Sequence, residues 1–412
     1  MRVTLITSTA LPEARDLGEE QPRKSSVKLY YVFILLDSER AAAFIERLSK
    51  NRLSQALAYS GVPIMAGLFI LAFYLLLGSF IASLTEPAVR AVVGSLPLQS
   101  YLLIPGVNPF VPVFYGLVAI IVAVTVHEGA HGVVAFREGV RVEGAGVILL
   151  GFIPVGAYVR PSEKELATKS TTRKLSIYTA GVALNTIFAL VCLGLLVGLI
   201  LHSVTVTGQG AQGIAVYQVG KGSPAYLAGI RPGDVITKIQ SFQIANVSYL
   251  SYLESHVFRP GENVTVTLTG GRITHLVFEP SPVNSSVAIM GISPIDPLPV
   301  LREWQNPPNV LVYLAPATYG PTPLNPALSS VYHSALPAWQ DIANFLFWLW
   351  WININLAVFN ALPVYLLDGG QVSRELFVRI FGVQKGERVT GAVSGLVLFL
   401  LILLVVIPRA FV

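Results

Sequence analysis

Long apolar runs decide most of what this chain can fold into. Stretches at about 61–84, 111–136, 175–201, 342–362 and 393–407 approach or exceed the length of a bilayer-crossing helix, ~20 residues. Inside hydrocarbon every backbone N–H and C=O must find its partner within the protein, so such runs become helices. The composition agrees: 53% of residues are hydrophobic and 12% charged, against roughly a quarter charged in ordinary soluble domains. The expected fold is a polytopic α-helical membrane protein of about five or six spans. No basic cluster interleaves with aromatics, which excludes a nucleic-acid surface. Cys192 is the sole cysteine, so no intramolecular disulfide can form.

The second run contains VAVTVHEGAHGVVAF, residues 122–136. Ionisable side chains at such depth are expensive and mark functional sites. His127 and His131 stand four apart, on one face of a helix. That spacing brings two imidazoles to one metal ion, with Glu128 placed to hold and deprotonate a water on it. The bland reading, two histidines bonding across a helix bundle, leaves Glu128 without a role. The other four histidines (His202, His256, His275 and His333) fall outside the spans. A third ligand is therefore sought among carboxylates near the spans. Asp368 stands out, in Asn360-Ala-Leu-Pro-Val-Tyr-Leu-Leu-Asp368-Gly-Gly370. Pro363 breaks the fourth span, and the paired glycines let backbone pass close to another element. Asp368 can equally cap a helix beginning near Gln371.

Cation placement sets the expected orientation. Residues 1–60 carry nine Lys and Arg, the loop after the second run seven, residues 364–390 four, and the loop between the first two runs one. The amino terminus is then cytoplasmic and residues 202–340 extracytoplasmic, with both motifs toward the cytoplasmic side. Residues 1–58 read as a cytoplasmic appendage with a strand at 29–36 and a helix over 39–58. Residues 59–201 form the first membrane part, 202–295 an outer domain, 296–340 an irregular linker, and 341–412 the second membrane part. The apolar, Gly-interrupted stretch 144–159 reads as a re-entrant hairpin rather than a kinked helix. In the outer domain, the order strand, capped helix, turn, strand, helix, strand over about 210–293 resembles a PDZ domain. It is a β-rich insert that implies extended-peptide binding at a sheet edge.

His127-Glu-Gly-Ala-His131 as HExxH, with Asn360 to Gly369 as NxxPxxxxDG, resembles the site-2 proteases, a family of intramembrane zinc metalloproteases. Gly181-Val-Ala-Leu-Asn185 looks like that family's GxxxN motif. The resemblance implies a Zn2+ ion held by His127, His131 and Asp368, with Glu128 as the catalytic base. It makes Asn185 and Asn360 polar residues of the active site. It also implies substrates that are transmembrane segments of other proteins, met within the lipid bilayer. The competing class is a non-catalytic zinc-binding scaffold or transporter, to which Glu128 would add nothing. A zinc hydrolase of prenylated or soluble peptides is a third class, disfavoured by Asp368 after a Pro-broken span.

Overall fold

The computed structural model describes residues 3–5, 27–30, 33–151, 153–307, 313–314 and 320–410. The chain divides into two compact units, Met1–Val191 with Ile352–Val412, and Cys192–Trp351.

The first unit opens with strands β1 (Val3–Leu5), β2 (Val27–Tyr30) and β3 (Phe33–Asp37). The single strand expected over 29–36 is thus two antiparallel strands, Lys28 opposite Leu35; residues 31–32 lie outside the described residues. Helix α1 (Glu39–Ser49) starts where the Ser38 hydroxyl accepts the Ala41 N–H at 3.2 Å. The helix expected to run on to residue 58 is interrupted. The Asn51 side chain accepts the Leu53 N–H and starts α2 (Arg52–Thr85), which runs directly into the first span. A short polar residue at that position satisfies an orphan helix N–H, and so begins a new helix. Then follow α3 (Pro87–Ser95) and α4 (Val113–Arg137). Two strands, β4 (Val142–Leu150) and β5 (Ile153–Pro161), form the hairpin expected at 144–159. After α5 (Glu163–Ala167) comes α6 (Thr171–Leu195).

The amino-terminal segment is no separate appendage. Strand β3 pairs along β4, Leu36 opposite Val147, giving one five-stranded sheet in the order β1-β2-β3-β4-β5. Ala42 and Ile45 of α1 share a buried cluster with Ala130, Val133 and Val134 of α4. The reason is that β3 pairs the open backbone edge of β4, and α1 buries its apolar face on α4.

In the second unit the chain leaves α6 through a π turn (Leu196–Ile200) and enters β6 (Val204–Val206). There follow β7 (Ile214–Val219), α7 (Pro224–Leu227), β8 (Val235–Ile239), β9 (Phe242–Gln243) and α8 (Val247–His256). The unit continues with β10 (Asn263–Leu268), β11 (Ile273–Val277), β12 (Glu279–Pro280), β13 (Ala288–Ile289) and β14 (Ile292–Ile295). The main sheet runs β11-β10-β8-β7-β14, with β9 on β8. Alternating residues of these strands, Ile214, Ile236, Val264 and Val266 among them, meet Leu250, Leu253 and Phe278 in a closed core. The section after Pro294, expected to be irregular, holds helix α9 (Pro297–Gln305) and strand β15 (Tyr332–Ser334), which pairs with β6. Pro297 at the first helical position, a residue pre-organised for it, starts that helix.

Helix α10 (Trp339–Ala361) begins in this unit and ends in the first, followed there by α11 (Asp368–Phe381) and α12 (Val383–Ala410). Among the described residues, five helices are long and apolar enough to cross a membrane: α2, α4, α6 with its extension to Ser203, α10 and α12. With these five, the chain is a multi-pass membrane protein.

Candidate metal centre

Helix α4 carries His127, Glu128 and His131. Its end is fixed by Gly139 at φ +71, with Gly139 N–H on the Phe136 carbonyl and Val140 N–H on that of Ala135. This left-handed cap, which glycine adopts without a Cβ penalty, stops the helix two turns beyond His131. The motif therefore sits one to three turns above a defined helix end, and His127 is about 15 Å from Arg137 along the axis.

Helix α6 runs beside the motif and supplies a partner at each four-residue step. The Ile177 carbonyl accepts from His131 Nδ1 at 2.7 Å. Gly181 stands against both imidazoles: a Cβ there would lie 2.6 Å from His131 Nε2 and 2.7 Å from His127 Nε2. Asn185, fully buried, puts Nδ2 3.4 Å from His127 Nδ1. Its Oδ1 is buried without a hydrogen bond, an arrangement that costs about 1–3 kcal/mol if left so. Ile177, Gly181 and Asn185 form one stripe, because residues four apart share a helix face.

Asp368 comes from the other end of the chain. Helix α10 stops at Ala361, and Ser394 Oγ of α12 donates to the carbonyl of Pro363 at 2.9 Å. After this turn α11 starts at Asp368 itself, with Leu367 as its cap residue. The capping role open to Asp368 is therefore not adopted. Gly369 and Gly370 allow the approach: Cβ atoms there would lie 2.3 Å from the Ala361 carbonyl oxygen and 2.0 Å from that of Val364. Further along α11, Glu375 accepts from Thr171 Oγ1 at 2.9 Å and Lys174 Nζ at 3.2 Å of α6, and Arg374 pairs with Glu387 of α12.

The three sequence-predicted ligands converge. His127 Nε2 and His131 Nε2 are 3.2 Å apart, and Asp368 Oδ2 lies 3.0 Å from the first and 3.4 Å from the second. Tetrahedral ligands about 2.0–2.1 Å from a zinc ion stand about 3.3 Å from one another, so the donor set fits that metal in both chemistry and spacing. Among the described residues it is the one group of His, Cys, Asp and Glu found close enough to hold an ion. Burial alone would raise the Asp368 pKa, but His131 and His127 beside it hold the carboxyl well below the usual range.

Glu128 is half-buried, and its Oε2 accepts the Val159 N–H of β5 at 3.2 Å. It lines, with His131 and Asp368, a cavity of about 740 Å³ whose wall also carries Arg160, Lys174 and Glu375. Apolar side chains, Val159, Leu166 and Ile177 among them, share that wall with the charged ones. Asn360, in the last turn of α10, forms no hydrogen bond with His127, Glu128, His131 or Asp368. The sequence reading missed the Ile177 carbonyl and the Val159 N–H, which as backbone groups have no residue signature. The four-residue step 177, 181, 185 was the signal available for the α6 stripe.

The model of "Peptidase family M50" matches residues 115–404. An uncharacterized protein of Methanocaldococcus jannaschii is 25% identical over 346 residues, 83% of this chain and 76% of that protein. The zinc metalloprotease RasP of Shouchella clausii is 23% identical over 274 residues, 61% of this chain and 62% of that one. A membrane-bound transcription factor site-2 protease homolog of Arabidopsis thaliana is 29% identical over 132 residues, 32% of this chain and 25% of that one. The matched region takes in both halves of the ligand set, and the chain belongs to peptidase family M50.

Proposed function

We propose that His127, His131 and Asp368 hold the zinc ion of this intramembrane metalloprotease, and that Glu128 is its general base. The observation that carries the reading is three ligand atoms within 3.4 Å of one another, with Glu128 lining the same cavity. Zinc, when bound, supplies a Lewis acid that polarises a peptide carbonyl and acidifies a water. Glu128 takes the proton of the attacking water and delivers it to the leaving amine. Cleavage of a purified membrane-spanning substrate by wild-type protein, beside the Glu128→Gln variant, is the experiment that tests the assignment. Retention of Glu128 disfavours a scaffold or transporter, which needs no base beside its ligands.

Substrates are transmembrane segments, and a helix must unwind before its carbonyls can be attacked. Strand β5 is the natural receiver of the unwound strand. It ends the five-stranded sheet, and Val159 points its N–H away from β4, toward Glu128. Ala157, two residues earlier, presents its backbone to the same side. Proline at Ala157 removes an outward N–H and spares the ladder with β4, since edge strands tolerate proline on that side. Ala157→Pro should therefore lower kcat/KM about tenfold while zinc content stays at the wild-type level. Unchanged turnover of a defined substrate would rule out edge pairing at β5.

We read residues 202–295 as a PDZ-like, extracytoplasmic domain. Its strand order, with α8 between β9 and β10 and a free edge at β14, supports the first part; the cation counts support the second. Extended peptides added outside sealed vesicles should bind it. No binding from outside, with binding in opened vesicles, would reverse the orientation, and no binding in either would make the domain a spacer.

A further inference from the structure

The GxxxN segment of α6 has a second use that neither the ligand geometry nor the family match assigns. We propose that Asn185 is a positioning residue: its side-chain oxygen accepts a hydrogen bond from His127 Nδ1 and so holds His127 in the one tautomer that leaves Nε2 free for the metal. The proposal rests on the reading of His127 as a zinc ligand.

A neutral imidazole carries one proton on two nitrogens, and the partner of one nitrogen decides the state of the other. His127 Nε2 faces His131 Nε2 and Asp368 Oδ2, at 3.2 and 3.0 Å. A metal at that nitrogen requires its lone pair, so the ring proton must sit on Nδ1 and be donated there. His131 meets the same requirement through the Ile177 carbonyl, an acceptor that can only receive. His127 has Asn185 at the equivalent place, two turns further along the same stripe of α6. The carboxamide presents Nδ2 to Nδ1 at 3.4 Å and leaves Oδ1, fully buried, with no hydrogen-bond partner. Half a turn about the Cβ–Cγ bond exchanges the two atoms. In that orientation Oδ1 gains a donor, and Nδ1 gains the acceptor that metal binding demands.

Gly181 makes the arrangement possible, because a side chain at that position would occupy the space into which both rings are pressed. Thus α6 does three things along one face. It accepts from His131, clears room for both rings, and accepts from His127. Asn185 on this account does not touch substrate. Its side chain lies behind the ligand, buried between α4 and α6, rather than on the wall of the cavity that Glu128 and Asp368 line.

The alternative role, a donor to the oxyanion of the reaction, uses the N–H of the same amide and predicts opposite results. Aspartate at position 185 keeps the acceptor and abolishes the donor; leucine keeps the size and abolishes both. Zinc affinity of purified protein, measured by competition with a chelating dye, should fall 10- to 100-fold in Asn185→Leu. In Asn185→Asp it should stay within a few-fold of wild type. Should Asn185→Leu fail to fold, Asn185→Ala against Asn185→Asp makes the same comparison. The nitrogen-15 signals of His127 give a second readout: Nδ1 should be protonated in zinc-loaded wild type and in the aspartate variant. Wild-type zinc affinity in the leucine and alanine variants overturns the proposal, as does an aspartate variant that binds zinc normally with kcat about 100-fold lower. A wild-type protein that binds no zinc at these residues would instead sink the metal reading itself, and this assignment with it.

Discussion

Glu128→Gln protein should bind one zinc ion as wild type does and cut a membrane-spanning substrate at least a hundredfold more slowly. The carboxylate makes none of the three close contacts among His127, His131 and Asp368, so its replacement leaves the ligand set intact. What the amide loses is the capacity to take a proton from water and return it to the leaving nitrogen, a contribution of about 10²–10⁴ in rate. The fold should persist, because Gln keeps an oxygen for the Val159 N–H that Glu128 Oε2 accepts at 3.2 Å. Zinc content by mass spectrometry and single-turnover cleavage, run on the same preparation, separate the two functions. Full cleavage by the variant would strip Glu128 of its assignment; loss of zinc together with cleavage would make it structural.

Gly181→Ala is expected to damage the metal centre from the opposite side. The added methyl would lie 2.6–2.7 Å from His131 Nε2, His127 Nε2 and His127 Cε1, well inside contact distance. The rings or the helices must then yield, and overpacking of this kind costs about 1–3 kcal/mol, which appears as a loss of about 10- to 100-fold in zinc affinity. Because the rings can rotate to relieve the clash, thermal unfolding should change little while metal binding falls. The chelator competition used for Asn185 reads the effect directly. Wild-type affinity in this variant would show that α6 stands further from the imidazoles than the structure has it.

Much of this site is visible in the sequence because membranes make polar residues conspicuous. His127, Glu128 and His131 stand out against valine and alanine, and Asp368 against Leu366 and Leu367. The break at Pro363 also follows from one residue's chemistry. Asp368 needed the structure, since ligand and helix cap are both common uses of an aspartate after a broken helix. The start of α11 at Asp368 itself, with Leu367 as the cap residue, bears on the cap reading alone. The amino-terminal strands are a different kind of gap. Their apolar pattern was legible, but pairing of Leu36 with Val147 joins segments more than a hundred residues apart, and nothing local encodes such a register. The interruption between α1 and α2 turned on one side chain, that of Asn51, within a stretch whose periodicity favoured continuous helix.

The order in which the proposed ligands occur along the chain has a consequence for synthesis. His127 and His131 emerge early, and their α6 partners follow within about sixty residues. Asp368 arrives only after the entire second unit and α10 have been made. A nascent chain in the membrane thus holds two imidazoles and a glutamate, short of the three protein ligands a catalytic zinc needs. On the proposed ligand set, the metal centre is complete only once translation has passed the fourth span.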